Sequence, residues 1–264
     1  MQELMQELKR YKKTPIKRFN GGGRWYSAGK TNNWKPSVTT IIGETCSKGK
    51  FFDEWLMKNG KEAIVIRDKA ALNGTLVHQF IENLLNEETV EIDGTLHEDE
   101  FIQKSLMSFE KFWKEKSLEV IDKELFLYHK DIPWAGTPDI IAVINNCLSI
   151  IDIKTGDYRR THEIQQLMYA IIWNRIFPNN PIEKIYGLYI KGKWKREPNY
   201  NLRQFKLIIN KDEYNGPIAD KVYDLWCFLN SSFPYGKPKP KEKLDLKKTF
   251  TLNIGEETDV ASLL

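Results

Sequence analysis

A chain of 264 residues that is 41% hydrophobic and 12% aromatic can bury a core of its own, which sets aside a disordered protein. Its formal charge of +4 suits a polyanionic partner without requiring one. Cys46, Cys147 and Cys227 are too few and too scattered for a disulfide framework, a zinc ribbon or an iron–sulfur cluster, and no apolar run is long enough to span a bilayer.

In chain order, residues 1–35 read as a peripheral basic segment: a short amphipathic helix, the Gly21-Gly22-Gly23 breaker and the pair Trp25-Tyr26. Glu3 and Glu7 among its cations argue against a secretory signal. Residues 36–118 read as a helical subdomain, opened by an extended Pro36-Ser37 and a helix cap. Its apolar residues recur at helical spacing at Phe51, Phe52, Trp55 and Leu56, at Val77, Phe80, Ile81, Leu84 and Leu85, and at Leu106, Phe109, Phe112 and Trp113. Residues 119–230 change texture. Strands are predicted at 124–129, 137–144 and 148–153, the last two joined by a turn at Asn145-Asn146, because Asn tolerates positive φ. A helix over 162–177, strands over 184–190 and 202–209, and a helix over 219–229 complete the series. The fold class is α/β, a mixed central β-sheet flanked by helices and preceded by the helical stretch. Residues 231–264, rich in Pro and Lys, read as a solvated basic tail.

The chemistry concentrates in Gly136-Thr137-Pro138-Asp139 and Asp152-Ile153-Lys154. On a strand, Asp152 and Lys154 share one face while Ile151 and Ile153 take the other. A hairpin turning at Asn145-Asn146 pairs residues whose numbers sum to about 291, which sets Asp139 across from Asp152. Two carboxylates at the rim of an apolar sheet call for a compensating cation, and hard oxygen ligands favour Mg²⁺ or Mn²⁺. Lys154 beside them can orient an attacking water and offset developing charge.

This segment resembles the core of PD-(D/E)XK nucleases, in the RecB-like branch, with a pattern similar to phage exonucleases and the mitochondrial genome maintenance exonuclease. Gly74-Thr75-Leu76-Val77-His78, followed by Ile81-Glu82, looks like the branch's helical histidine motif. Gln165-Gln166-Leu167-Met168-Tyr169 looks like its Gln-x-x-x-Tyr motif, and Pro36-Ser37-Val38-Thr39-Thr40-Ile41-Ile42 with Lys48 and Trp55 like its lead-in. The resemblance spans residues 36–210 and implies a restriction-endonuclease-like core. It implies metal ligands at His78, Asp139, Asp152 and the Ile153 carbonyl, with Lys154, Gln165 and Tyr169 completing the catalytic set. Glu124 corresponds to an outer acid, and Glu82 is read either as orienting His78 or as an exposed helix charge. The helical part of such relatives bridges the site, and single-stranded DNA threads beneath it.

The expected function is therefore a Mg²⁺- or Mn²⁺-dependent DNA exonuclease acting on single-stranded or flap ends in replication, repair or recombination. No Walker A sequence is present, so a helicase or a single-strand-annealing protein is the expected partner. The expected compartment is the interior of a bacterial or phage-infected cell, with a mitochondrial one left open. Two alternatives stand beside this: a structure-selective endonuclease with the same site, and an inactive nuclease fold that binds DNA. The turn Lys191, Lys193, Trp194, Lys195 and Arg196 is read either as a phosphate and base contact or as a solvated hairpin tip.

Overall fold

Leu4 and Leu8 lie one turn apart on α1 (Gln2–Tyr11), and both are fully buried. The computed structural model describes residues 1–21, 23–29, 33–46, 49–86, 100–207 and 217–232. The expected tail is outside this set apart from its first two residues, as is Lys48. The burial of α1 corrects the expectation of a peripheral first segment. Its two leucines join the main core, and the Tyr11 hydroxyl donates to the carbonyls of Phe126 (2.9 Å) and Tyr128 (3.1 Å). Behind α1, β1 (Ile16–Asn20), β2 (Arg24–Ala28) and β3 (Lys35–Pro36) form a small antiparallel sheet that composition alone did not disclose. Ser37 then caps α2 (Val38–Thr45) by accepting the Thr40 N–H at 3.0 Å, as the extended Pro36-Ser37 predicts.

The remaining helices before the main sheet are α3 (Lys50–Asn59), α4 (Glu62–Leu85) and α5 (Glu100–Glu115). The sheet contains β4 (Leu118–Lys123), β5 (Ile140–Ile144), β6 (Cys147–Lys154), β7 (Lys184–Lys191) and β8 (Asn199–Phe205), in that spatial order. All neighbours are antiparallel except β6 and β7, which run parallel and are joined through α6 (Arg160–Ile176); α7 (Pro217–Ser232) closes the described fold. This is the mixed α/β sheet flanked by helices that the order of elements predicts. Its two faces bury separate cores. Val77, Phe80, Ile81, Ile102, Phe109 and Phe112 of α4 and α5 pack on Ile140, Ala142, Ile151 and Ile153. On the other face α6, α2 and α1 pack on Ile141, Ile150 and Ile185. No described helix is long and apolar enough to cross a membrane.

The first strand of the main sheet is six residues earlier than expected. Residues 124–129 are not a strand; only Leu127 bridges to Gly136. Glu124 takes a left-handed φ of 46°, which ends β4, and a bulge between Val120 and Asp122 interrupts the two-residue period that marks a strand in sequence. β5 also starts later than predicted, at Ile140, because the preceding stretch through Asp139 turns away from the ladder.

Candidate functional site

Asn145 and Asn146 both adopt positive φ (49° and 59°), the backbone of a tight two-residue hairpin. The resulting register sets Ile144 opposite Cys147 and Ile140 opposite Ile151, so paired numbers sum to 291. Asp139, one residue beyond the ladder, therefore stands at the end of β5 beside β6. Its Oδ2 accepts the Ile153 N–H at 2.6 Å. Within one extended residue the N–H and C=O face the same neighbouring strand, so the Ile153 carbonyl faces this side too.

Asp152 and Lys154 point to the α6 face. Asp152 Oδ2 forms a buried ion pair with the Lys154 ammonium. Gln165 joins the pair, with its Nε2 donating to Asp152 Oδ1 (3.3 Å) and its Oε1 accepting from Lys154 Nζ (3.3 Å). Gln165 Nε2 also reaches the Tyr169 hydroxyl, one turn along α6, at 3.1 Å. The Tyr169 ring crosses the backbone at Gly136, where an added Cβ would sit 2.3 Å from its Cε1. Gly136 is thus required for close approach, which explains a glycine three residues before Asp139.

His78 comes from the opposite face, on α4, and its Nδ1 stands 3.5 Å from Asp139 Oδ2. Gly74, one turn earlier, lets α4 approach the end of β6: a Cβ there would lie 3.2 Å from Thr155 Oγ1. His78, Glu82, Lys123, Glu124, Asp139 and Ile153 line one cleft between α4 and the sheet edge. Glu124 enters it on its strained backbone, with its N–H bonded to the Asp139 carbonyl at 3.0 Å. Glu82 is half-buried in this cleft, which sets aside the exposed helix charge, and its own charge bears on Glu124. No protein-family model matches this sequence, and no curated protein matches it.

The charges in this cleft are strongly perturbed. Burial, reinforced by Asp139 and Glu82, pushes the Glu124 carboxyl up to about 8. Burial likewise pushes Asp152 up to about 6, with Lys154 opposing and Asp139 adding. Desolvation would raise Asp139, but the His78 charge and hydrogen bond, Lys154 and the Ile153 N–H hold it below its ordinary range. Burial would depress His78 and Lys154, yet the aspartates hold both above their usual values. Among the described residues no three His, Cys, Asp or Glu groups form a closed ligand set. The expected triad is instead divided into two adjoining pairs, His78 with Asp139 and Asp152 with Lys154. A divalent cation fits this arrangement. Glu124, buried beside Asp139 and Glu82, keeps its proton to unusually high pH, so a carboxyl group in this cleft stands without a compensating cation. Carboxylate oxygens, a carbonyl and one imidazole form a donor set for Mg²⁺ or Mn²⁺.

Sequence reasoning missed the supports of this site. The Lys35 ammonium is buried and donates to the carbonyls of His129 (2.6 Å), Lys130 (2.8 Å) and Ile132 (2.6 Å), fixing the loop that leads to Gly136. The Tyr26 hydroxyl meets Thr137 Oγ1 at 3.0 Å. His162, at the start of α6, accepts the Arg159 N–H on Nδ1 (3.3 Å), and the Tyr189 hydroxyl lies 2.9 Å from the same atom. Burial with Lys154 and Arg159 nearby lowers His162 to about 4. Lys35 and Tyr26 have no local motif, since their partners are remote in sequence, whereas His162 meets Arg159 within one turn and Tyr189 27 positions away. The turn after β7 is clamped to α5: Lys104 Nζ donates to the Trp194 carbonyl (3.0 Å) and lies 5.0 Å over the Trp194 ring. One face of that indole is thus covered, while Lys193, Lys195 and Arg196 are exposed.

Proposed function

We propose that the chain is a Mg²⁺- or Mn²⁺-dependent deoxyribonuclease of the RecB-like PD-(D/E)XK type, hydrolysing phosphodiester bonds at single-stranded or flap ends in replication, repair or recombination. The observation that carries this reading is the juxtaposition of Asp139 and Asp152 by the hairpin, with His78 against one and Lys154 and Gln165 against the other. His78, Asp139, Asp152 and the Ile153 carbonyl would hold the ion, with Glu124 as an outer acid. When bound, the ion would polarise the scissile phosphate and lower the pKa of an attacking water.

The chain's own residues divide the remaining work. Lys154, kept protonated by the two aspartates, orients water and offsets charge on the phosphate. Gln165 fixes Asp152 and Lys154 relative to each other, and Tyr169 fixes Gln165. The working setting in this reading is a bacterial or phage-infected cell interior, with a helicase supplying unpaired ends or a single-strand-annealing protein taking up the strand left behind. End-labelled single- and double-stranded DNA incubated with Mg²⁺, Mn²⁺ or EDTA tests the reading. Ion-dependent shortening of single strands is expected, and the absence of ion-dependent cleavage on every substrate would overturn it.

A further inference from the structure

The cross-strand row that holds Asp152 continues across β7 and β8: Asp152 pairs with Gly187, and Gly187 pairs with Arg203. Paired positions share a face, so Arg203 emerges on the α6 side of the sheet, two strand spacings, or roughly 10 Å, from Asp152. Gly187 makes room for the rings between them. A Cβ there would meet Phe205 Cζ and Tyr189 Cε2, each at 2.8 Å. Against those rings stands Tyr158, from the loop after β6, with ring centroids 6.3 Å from Tyr189 and 6.1 Å from Phe205. Its hydroxyl bonds Glu163. The Arg203 guanidinium lies 3.6 Å from the Tyr158 ring centre. Arg203 is exposed, as are Arg159 and Arg160, and among the described residues none of the three forms a salt bridge. Arg159 and Arg160 follow Tyr158 directly in the chain, and the charges of Arg160 and Arg203 both bear on the Tyr158 hydroxyl.

We infer that Tyr158 and Arg203 form a stacking ledge for one base of a single-stranded nucleic acid, with Arg159 and Arg160 beside it for the phosphates. A guanidinium already held over an aromatic ring at this distance has little freedom still to lose, and its solvent side can take a stacked nucleobase. A duplex presents no free base face to such a ledge, which selects for unpaired strands. The direction of the strand toward Lys154 rests on the nuclease reading; the ledge itself does not.

The test is binding in EDTA, which separates it from cleavage. A fluorescent oligothymidylate and an abasic strand of equal length are titrated with the full chain, with Arg203→Lys and with Tyr158→Leu. The unsubstituted protein should bind the oligothymidylate at least about fivefold more tightly than the abasic strand, the effect of one stacked base. Arg203→Lys, which keeps the charge and removes the plane, should abolish that preference and leave abasic binding unchanged. Equal binding of the two strands by the unsubstituted protein, or an undiminished preference in Arg203→Lys, would overturn the ledge. If the preference is present and ion-dependent cleavage is absent, the ledge stands and the nuclease reading falls. If cleavage is present without the preference, the ledge falls alone.

Discussion

Glu124 holds its proton far above the ordinary carboxyl range, and the sign of its effect on stability follows from that direction. Its ordinary value is 4.5 and the folded value is about 8. The folded state therefore holds the proton more tightly, and the associated stability is complete below about pH 4.5 and is lost as pH rises through about 8. Urea midpoints of protein in EDTA should fall across that window, and Glu124→Gln should flatten the fall; an unchanged slope in the variant would place the titration elsewhere. Added Mn²⁺ should stabilise more as pH rises, since binding displaces the same proton. For the proposed chemistry, Asp139→Ala or Asp152→Ala should lower cleavage by at least about 10³ while DNA binding survives, because phosphate contacts elsewhere supply affinity. Near-normal turnover by either pure variant would remove the assignment. Asp139, Asp152 and Lys154 were legible in the sequence because strand alternation and hairpin arithmetic are local rules. Glu124 was visible only as an acid of suitable position; its left-handed backbone and its encounter with Glu82 arise from tertiary packing.

Between elements, much of the site depends on close approach. α6 reaches the hairpin only because Gly136 leaves space for the Tyr169 ring. Gly136→Ala should destabilise by about 1–3 kcal/mol, the usual range for overpacking, and should shift Tyr169 and with it Gln165. A double-mutant cycle is the measurement: the Gly136→Ala penalty should shrink strongly in a Tyr169→Ala background. Equal penalties in both backgrounds would show that the ring is not the obstacle. The hairpin, α6 and β7 were readable because their apolar periods are uninterrupted. β4 was misplaced because its bulge sets Ile121 and Asp122 side by side in buried positions, and no alternation survives for a pattern to detect. The clamp of Lys104 on Trp194 was equally hidden, since the two residues are 90 positions apart.

Across the molecule, the two faces of the sheet supply different halves of the site. α4 delivers His78 from one core, α6 delivers Gln165 and Tyr169 from the other, and the hairpin between them carries the aspartates. The N-terminal residues hold this arrangement together. α1 packs under the loop that leads to Gly136, and Lys12, just beyond it, pairs with the buried Asp122 of β4 at 2.7 Å. A peripheral segment would tolerate truncation of Leu8 with little effect, whereas a fully enclosed leucine would not. Leu8→Ala should therefore lower stability by about 2–5 kcal/mol, the range for truncating a buried leucine in a core. Urea unfolding gives the measurement, and a loss within about 0.5 kcal/mol, typical of exposed positions, would return α1 to the periphery. The loss should appear in the transition that unfolds the α6-side core, because Leu8 shares that core with Trp134, Met168 and Trp173 behind the site.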